Sequence, residues 1–268
     1  MFFSNLALSR RLERAEGNAC AQFAEARRRL IPGCTSEWTE CAGTYAVFDG
    51  VDSPVTQTFG LGIFEELKVE SLKRIELFFL DRDAPVCHEV SPFAGCGAIG
   101  LLCARGYQPI EISNVLYRAV EDCGLAKDTN VSAHVITSEE APLWSQVNAR
   151  GWGHERPELS DFLQQSSAVL AARGQSVSFL AEFEGQAGAA ASLCIHNKVA
   201  LFAGSATVPE FRRRGLQGAL LAGRMRYALE DGCDLAMIVA EPGSNSHRNA
   251  ERNGFQIAYT RMKWRLFR

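Results

Sequence analysis

Apolar and polar positions along the chain alternate with two periods, and each change of period marks an element. Residues 5–30 are rich in Ala, Leu, Arg and Glu and predict a helix, ended by Pro32-Gly33. Two strand-like runs follow, Thr44–Asp49 and Thr56–Ile63, joined by the loop Gly50-Val51-Asp52-Ser53-Pro54. Residues 64–79 place Phe64, Leu67, Leu72 and Ile75 at helical spacing. Val86–Val90 predicts a short strand, Ala98–Ala104 a short helix closed by Gly106, and Ile110–Tyr117 another strand.

The pattern then restarts. Val131–Thr137 predicts a strand, and Ser138 the N-cap of a helix running to about Ala149. Glu158–Arg173 predicts a second helix, closed by Gly174. Ser176–Phe183 alternates, with Val177, Phe179, Ala181 and Phe183 on one face. Ala187–Ile195 and Val199–Val208 predict two further strands, and Leu216–Glu230 a long helix. Leu235–Ala240 is almost wholly apolar, as expected of a strand buried on both faces. Ser246–Arg252 and Gln256–Leu266 predict a short helix and a closing strand.

The two halves end alike. Cys103-Ala104-Arg105-Gly106-Tyr107 precedes one long strand, and Ala250-Glu251-Arg252-Asn253-Gly254-Phe255 precedes the other. The order of elements before each also matches, which predicts an internal duplication. The fold class expected is α/β (α+β), in two domains spanning 1–123 and 131–268. The polar stretch 121–130 is the expected linker.

Composition narrows the function. The chain has 268 residues, 47% hydrophobic and 22% charged, with a net charge of −3. No global field favours nucleic acid or an anionic membrane. No apolar run approaches the roughly 18 residues that span a bilayer, and Arg10, Arg11 and Arg14 interrupt the N-terminal segment, so a cytoplasmic protein is expected. Nine cysteines without a Cys-x-x-Cys spacing, and five scattered histidines, predict reduced thiols and no metal site.

The chemistry concentrates in Val208-Pro209-Glu210-Phe211-Arg212-Arg213-Arg214-Gly215-Leu216-Gln217-Gly218-Ala219. A strand ends, Pro209 stops pairing, and basic residues and two glycines lead into a helix. The first N–H groups of such a helix lack internal partners, and its dipole adds positive charge there, which suits a diphosphate. Gly215 and Gly218 carry no Cβ, so phosphates approach the backbone closely.

This segment resembles the GNAT acyltransferase superfamily, whose signature is Gln/Arg-x-x-Gly-x-Gly/Ala. Arg212 and Gly215 match; Gln217 stands where Gly or Ala is usual, with Gly218 one step later. The resemblance covers 131–268 and implies two tandem GNAT-like domains, each a mixed, mostly antiparallel sheet flanked by helices. It implies acetyl-CoA as co-substrate and an amine acceptor, small-molecule or peptidyl. On the resemblance, the backbones of Thr207 and Val208 pair with the pantetheine arm. Main-chain groups of Arg213, Arg214, Gly215, Leu216, Gln217 and Gly218, with Arg212 and Ala219 beside them, hold the pyrophosphate. Asn245 or Asn249 bonds the pantetheine or thioester region, and an N–H near Val208 polarises the thioester carbonyl.

A tyrosine proton donor of many members falls here on Ala250, so the donor is missing. Glu182, Glu184, His247 and Tyr259 are candidate bases, each with a competing structural role, and no catalytic residue is assigned. The counterpart of the turn in the first half, Ile63 to Lys73, has no glycine pair and carries Glu65, Glu66 and Glu70, which repel phosphate. It reads as a degenerate copy without the cofactor motif. The alternative function is a catalytically silent acyl-CoA-binding regulatory module; nucleic-acid binding through Arg212–Arg214 is disfavoured by the shortness of the cluster.

Overall fold

The computed structural model describes residues 3–121, 130–155, 166–170 and 176–267. The elements in chain order begin with α1 (Leu6–Leu30), β1 (Glu37–Cys41), β2 (Thr44–Phe48), β3 (Gln57–Phe59), α2 (Val69–Leu80), β4 (Cys87–Val90), α3 (Gly95–Ala104) and β5 (Tyr107–Ala119). They continue with β6 (Val131–Val135), α4 (Ala141–Glu155), β7 (Ser176–Phe183), β8 (Gln186–His196), β9 (Val199–Thr207), α5 (Leu216–Glu230), β10 (Leu235–Ala240), α6 (Asn245–Arg252) and β11 (Gln256–Leu266).

The chain divides into two compact units, one of Met1–Arg118 with Met237–Arg268, the other of Ala119–Ala236. The crossing at 118/119 falls close to the linker expected at 121–130, of which 122–129 lie outside the described residues. The residues after 236 pack with the first unit, although sequence order alone groups them with the second half.

In the first unit the strands run β1-β2-β3-β4-β11-β5. β11 pairs antiparallel with both β4 and β5, so the expected closing strand is an interior strand of this sheet. The reason lies in its side chains: Trp264 joins the core of Phe48, Leu72, Ile75, Phe79, Leu102 and Tyr107. α1 covers the other face, close enough that a Cβ on Gly17 would lie 2.9 Å from the Tyr45 ring. β3 and β4 are parallel and meet only at Thr58 and His88.

In the second unit the strands run β9-β8-β7-β6, all antiparallel. α4 packs on β7, β8 and β9 through Trp144 and Val147, which meet Leu180, Ala190 and Val208 in one core. α5 packs on all four strands, its Tyr227 edge-on to Phe179. The predicted helix Glu158–Arg173 is described only at 166–170, which are helical.

Several element boundaries differ from the sequence pattern, three of them for a visible reason. β1 was not predicted, because Glu37, Trp38 and Thr39 are partly covered, Glu40 is exposed and only Cys41 is buried, which leaves no strict alternation. α2 begins at Val69 rather than 64, because Phe64 belongs to the preceding turn and its ring fills the space over Gly43 and Gly60. α4 begins at Ala141 rather than beside Ser138, because the Glu140 carboxylate caps the entry by accepting from the Thr137 N–H at 2.8 Å and by bonding His134 at 2.9 Å.

Candidate functional site

The strand that leads into the basic turn is irregular. Between the pairs Ala190/Ala206 and Ser192/Ala203, β9 carries one residue more than β8, which is a β-bulge. Gly204 sits in it with φ +59°, a left-handed conformation that explains a glycine in a strand interior. Asn148 of α4, itself buried, donates to the Gly204 carbonyl at 3.0 Å and so fixes the bulge. α4 approaches β9 closely there, since a Cβ on Gly151 would lie 2.7 Å from the Ala206 Cβ. Neither Gly204, Gly151 nor Asn148 was singled out from the sequence. An isolated glycine inside a strand pattern was the available signal.

After β9, Pro209–Phe211 form one 3₁₀ turn. Val208 N–H donates to the Gly188 carbonyl at 2.9 Å. That donor is therefore occupied, which removes the expectation that it polarises a thioester carbonyl. Strand alternation turns the N–H and C=O of Thr207 the opposite way, away from β8. The Phe211 ring packs on Gly188, where a Cβ would come within 2.4 Å of the ring. Glu210 pairs with Arg150. Arg214 lies over the rings of Phe183 at 4.8 Å and Phe211 at 5.6 Å, which holds its guanidinium beside the turn.

The turn itself needs two left-handed residues, Arg213 at φ +63° and Gly215 at φ +80°. Gly215 is the N-cap of α5, where a Ser, Thr, Asp or Asn side chain normally satisfies a first-turn N–H. A glycine cannot do so, and no side chain caps this helix. The N–H groups of Leu216, Gln217 and Gly218 thus lack the acceptor that a helix interior supplies, whereas Ala219 N–H already bonds Gly215 O at 3.1 Å. A Cβ built on Gly218 meets nothing within 4 Å. Packing of the protein therefore does not demand a glycine at this helical position.

Gln217, the departure from the expected small residue, turns its side chain back to β9. Its Oε1 accepts from Ser205 Oγ at 2.8 Å and its Nε2 donates to Thr207 Oγ1 at 2.7 Å. It faces the strand, so it does not crowd the turn.

The other candidates lie elsewhere. Asn245 and Asn249 are on α6, within the first unit. Asn245 Oδ1 accepts from Arg248, and Asn249 O accepts from Asn253. His247 also serves α6: its Nδ1 accepts from Gly243 N–H at 3.2 Å and its Nε2 lies 3.3 Å from the Asn114 amide. Both ring nitrogens are thus engaged within the first unit. Tyr259 donates to buried Glu13 at 2.8 Å, and burial pushes its hydroxyl pKa far up. Glu184 is exposed in the β7–β8 turn, and Glu182 is half-buried on β7. Ala250 is only 1% exposed, so its position faces packed protein.

The corresponding turn of the first half is built to the opposite charge. Arg10 donates to the carbonyls of Ile63 and Phe64, and Arg14 lies 4.1 Å from the Phe64 ring centroid. Lys68 N–H, at the start of α2, is satisfied by Ser71 Oγ at 3.2 Å. Arginines thus face carbonyls at this turn, and no glycine enters α2. Among the described residues no helix is long and apolar enough to cross a membrane, and no three His, Cys, Asp or Glu side chains are grouped to hold a metal.

A bulged strand thus leads into an uncapped, glycine-entered helix, within an antiparallel sheet flanked by helices. Residues 137–255 match the model of the acetyltransferase (GNAT) family. No curated protein sequence matches the chain. Among solved structures, it is similar to a GCN5-related N-acetyltransferase from Kribbella flavida, at 18% identity and a TM-score of 0.65, over 92% of this chain and 95% of that one. It is similar to a tandem GNAT protein from the clavulanic acid biosynthesis pathway, at 14% identity and a TM-score of 0.59, over 98% and 96% of the two chains. A GCN5-related N-acetyltransferase from Sphaerobacter thermophilus aligns at 14% identity and a TM-score of 0.57, over 83% and 76%. The fold is thus the GNAT fold, shared with neighbours that align over nearly the whole chain.

Proposed function

We propose that this protein is an acetyl-CoA-dependent N-acetyltransferase that acts on a small-molecule or peptidyl amine, in the cytoplasm and without a metal. The observation that carries the reading is the α5 entry: N–H groups of 216–218 without a cap, beside Gly218 where a side chain would meet only open space. Arg212, Arg213 and Arg214 add positive charge to it, and the main chain of Thr207 supplies a pairing edge for an extended arm. The division of labour follows the tandem reading, with 131–268 carrying the cofactor motif and 1–123 a degenerate copy without it.

The reaction transfers the acetyl group directly. The amine nitrogen attacks the thioester carbonyl, the carbon–sulfur bond breaks, the amine proton passes to a base, and the thiolate takes up a proton. A thiolate is a tolerable leaving group, so Ala250 in place of a tyrosine does not preclude turnover. The chain's own contribution is positioning and main-chain hydrogen bonding.

The test is calorimetry with acetyl-CoA followed by thioester turnover against a panel of amines. Binding and turnover support the enzyme; absence of any heat at millimolar acetyl-CoA defeats the reading. The second reading, a silent acyl-CoA-binding module, draws on the engaged ring of His247 and the buried hydroxyl of Tyr259. Binding without turnover on any amine would select it.

A further inference from the structure

The first unit has a cleft at the start of β3, away from the end of that strand that leads to α2. β3 and β4 run parallel and pair only at Thr58 and His88, and the residues just before that contact line a cleft of about 300 Å³. Its floor is Gln57, Cys87, Lys263 and Arg265. Arg261 meets Glu13 and Glu16 of α1, and alternation along β11 puts Lys263 and Arg265 on the same face, with Cys87 opposite Arg265 on β4. Val51, Pro54 and Pro85 add apolar wall. The loop that carries Val51 and Pro54 is tied down. Ser53 donates to Asp49 at 2.7 Å, and Thr56 donates to the Gly50 carbonyl at 2.6 Å and accepts from Asp49 N–H at 3.0 Å.

Two polar groups of this cleft are unengaged by the protein. Gln57 is 8% exposed, and among the described residues its amide has no hydrogen-bond partner. A buried amide left unpaired destabilises a fold, so its place on the cleft floor points to a ligand. Arg265 has no carboxylate partner among the described residues and lies 5.6 Å from the Phe267 ring centroid. Lys263, by contrast, pairs with Glu89 at 3.5 Å and Glu111 at 3.0 Å. Burial pushes the Cys87 thiol pKa up while Lys263 and Arg265 pull against it, which places both cations near the sulfur.

We propose that this cleft binds a small zwitterion whose oxyanion sits on Arg265 and whose second polar group bonds the Gln57 amide. The planar guanidinium fork suits a carboxylate or a phosphate. Asp52 on the cleft wall suits an ammonium group, which makes free amino acids the leading class. The volume is at the lower end for small-molecule sites and excludes a ligand the size of coenzyme A. The site is independent of the acyl-CoA reading and gives the half without the cofactor motif a ligand of its own.

The experiment is calorimetry on the full chain with the common free amino acids, with phosphoethanolamine, and with sodium chloride as a salt control. At least one zwitterion should bind, and the better class of probe tells whether a carboxylate or a phosphate supplies the oxyanion. Arg265→Gln, at an exposed position, should weaken binding by about tenfold or more. Gln57→Leu removes one hydrogen bond and should weaken it roughly 3- to 10-fold. Should Gln57→Leu fail to fold, Arg265→Gln decides alone. No heat with any zwitterion at tens of millimolar overturns the proposal. Undiminished binding by Arg265→Gln also overturns it, because the ligand then sits elsewhere. Equal heat with sodium chloride overturns it as a general effect of salt.

Discussion

Glu13 and Arg261 stand 248 residues apart in sequence, and their carboxylate and guanidinium meet at 3.1 Å in the interior of the first unit. Arg261 also bonds both Glu16 oxygens, at 2.7 and 2.9 Å, and pairs with Glu89 at 3.1 Å. Three acidic residues share one buried cation, and Tyr259 and Gly60 N–H complete the shell around Glu13. Burial pushes the Glu13 carboxyl pKa up, while the acidic neighbours hold Arg261 firmly charged.

Arg261→Leu leaves Glu13 and Glu16 without their counter-charge, while Glu89 keeps Lys263 at 3.5 Å. Breaking a buried ion pair from one side costs about 3–5 kcal/mol. Urea denaturation should show that loss, and Glu13→Gln, which retains a hydrogen-bonding group, should lose less.

The same geometry bears on truncation. A fragment of 131–268 carries β11 without β4 or β5, the strands it pairs with. It exposes Trp264, Tyr259 and Arg261, all buried in the full chain. The fragment should aggregate or self-associate on size exclusion, even if it retains the cofactor turn. A soluble, monomeric fragment with full thermal stability would contradict the role given to β11.

Gly215 and Gly218 should separate folding from binding. Gly215→Val forces a β-branched side chain into φ +80° and should destabilise by more than about 1 kcal/mol. A Cβ at position 218 meets no protein atom within 4 Å, so Gly218→Val should fold normally. Both should weaken acetyl-CoA binding in calorimetry by tenfold or more on the order of 1.4 kcal/mol. Unimpaired binding by Gly218→Val would count against phosphate at that surface.

A pH effect follows from His88. It is fully buried, and burial pushes its pKa down to about 3. Tyr107 donates to Glu76 Oε1 at 3.2 Å, so His88 Nε2–H donates to Tyr107 at 2.9 Å while Nδ1 accepts from Thr58 at 2.8 Å. The folded state holds this ring neutral, whereas the unfolded chain takes up a proton near pH 6.5. Its contribution is complete above that pH and is lost as pH falls toward 3, by about 1.4 kcal/mol per pH unit. Denaturation at pH 7 and pH 5 should show the slope, and His88→Gln should flatten it.

The sequence reveals most where one residue type has one physical meaning. Pro209 ending a strand, Gly215 entering a helix and the apolar run of β10 all lie where the pattern puts them. It is silent where a side chain has a choice of neighbours. Phe64 reads as a helix face but lies over Gly43 and Gly60, and Gln217 stands where Gly or Ala is usual but bonds Ser205 and Thr207. The bulge at Gly204 depends on the register between two strands, and periodicity within one strand does not carry register. The place of β11 is a question of pairing over more than a hundred residues, which local pattern does not decide.

β11 also sets an order on synthesis. Translation delivers 119–236 entire before Arg261 and Trp264 exist, so the second unit has every strand it needs while the first still lacks an interior one. The half made earliest is finished last. Until the final residues emerge, the edges of β4 and β5 stand open, and that interval is when the nascent chain most needs a chaperone's cover.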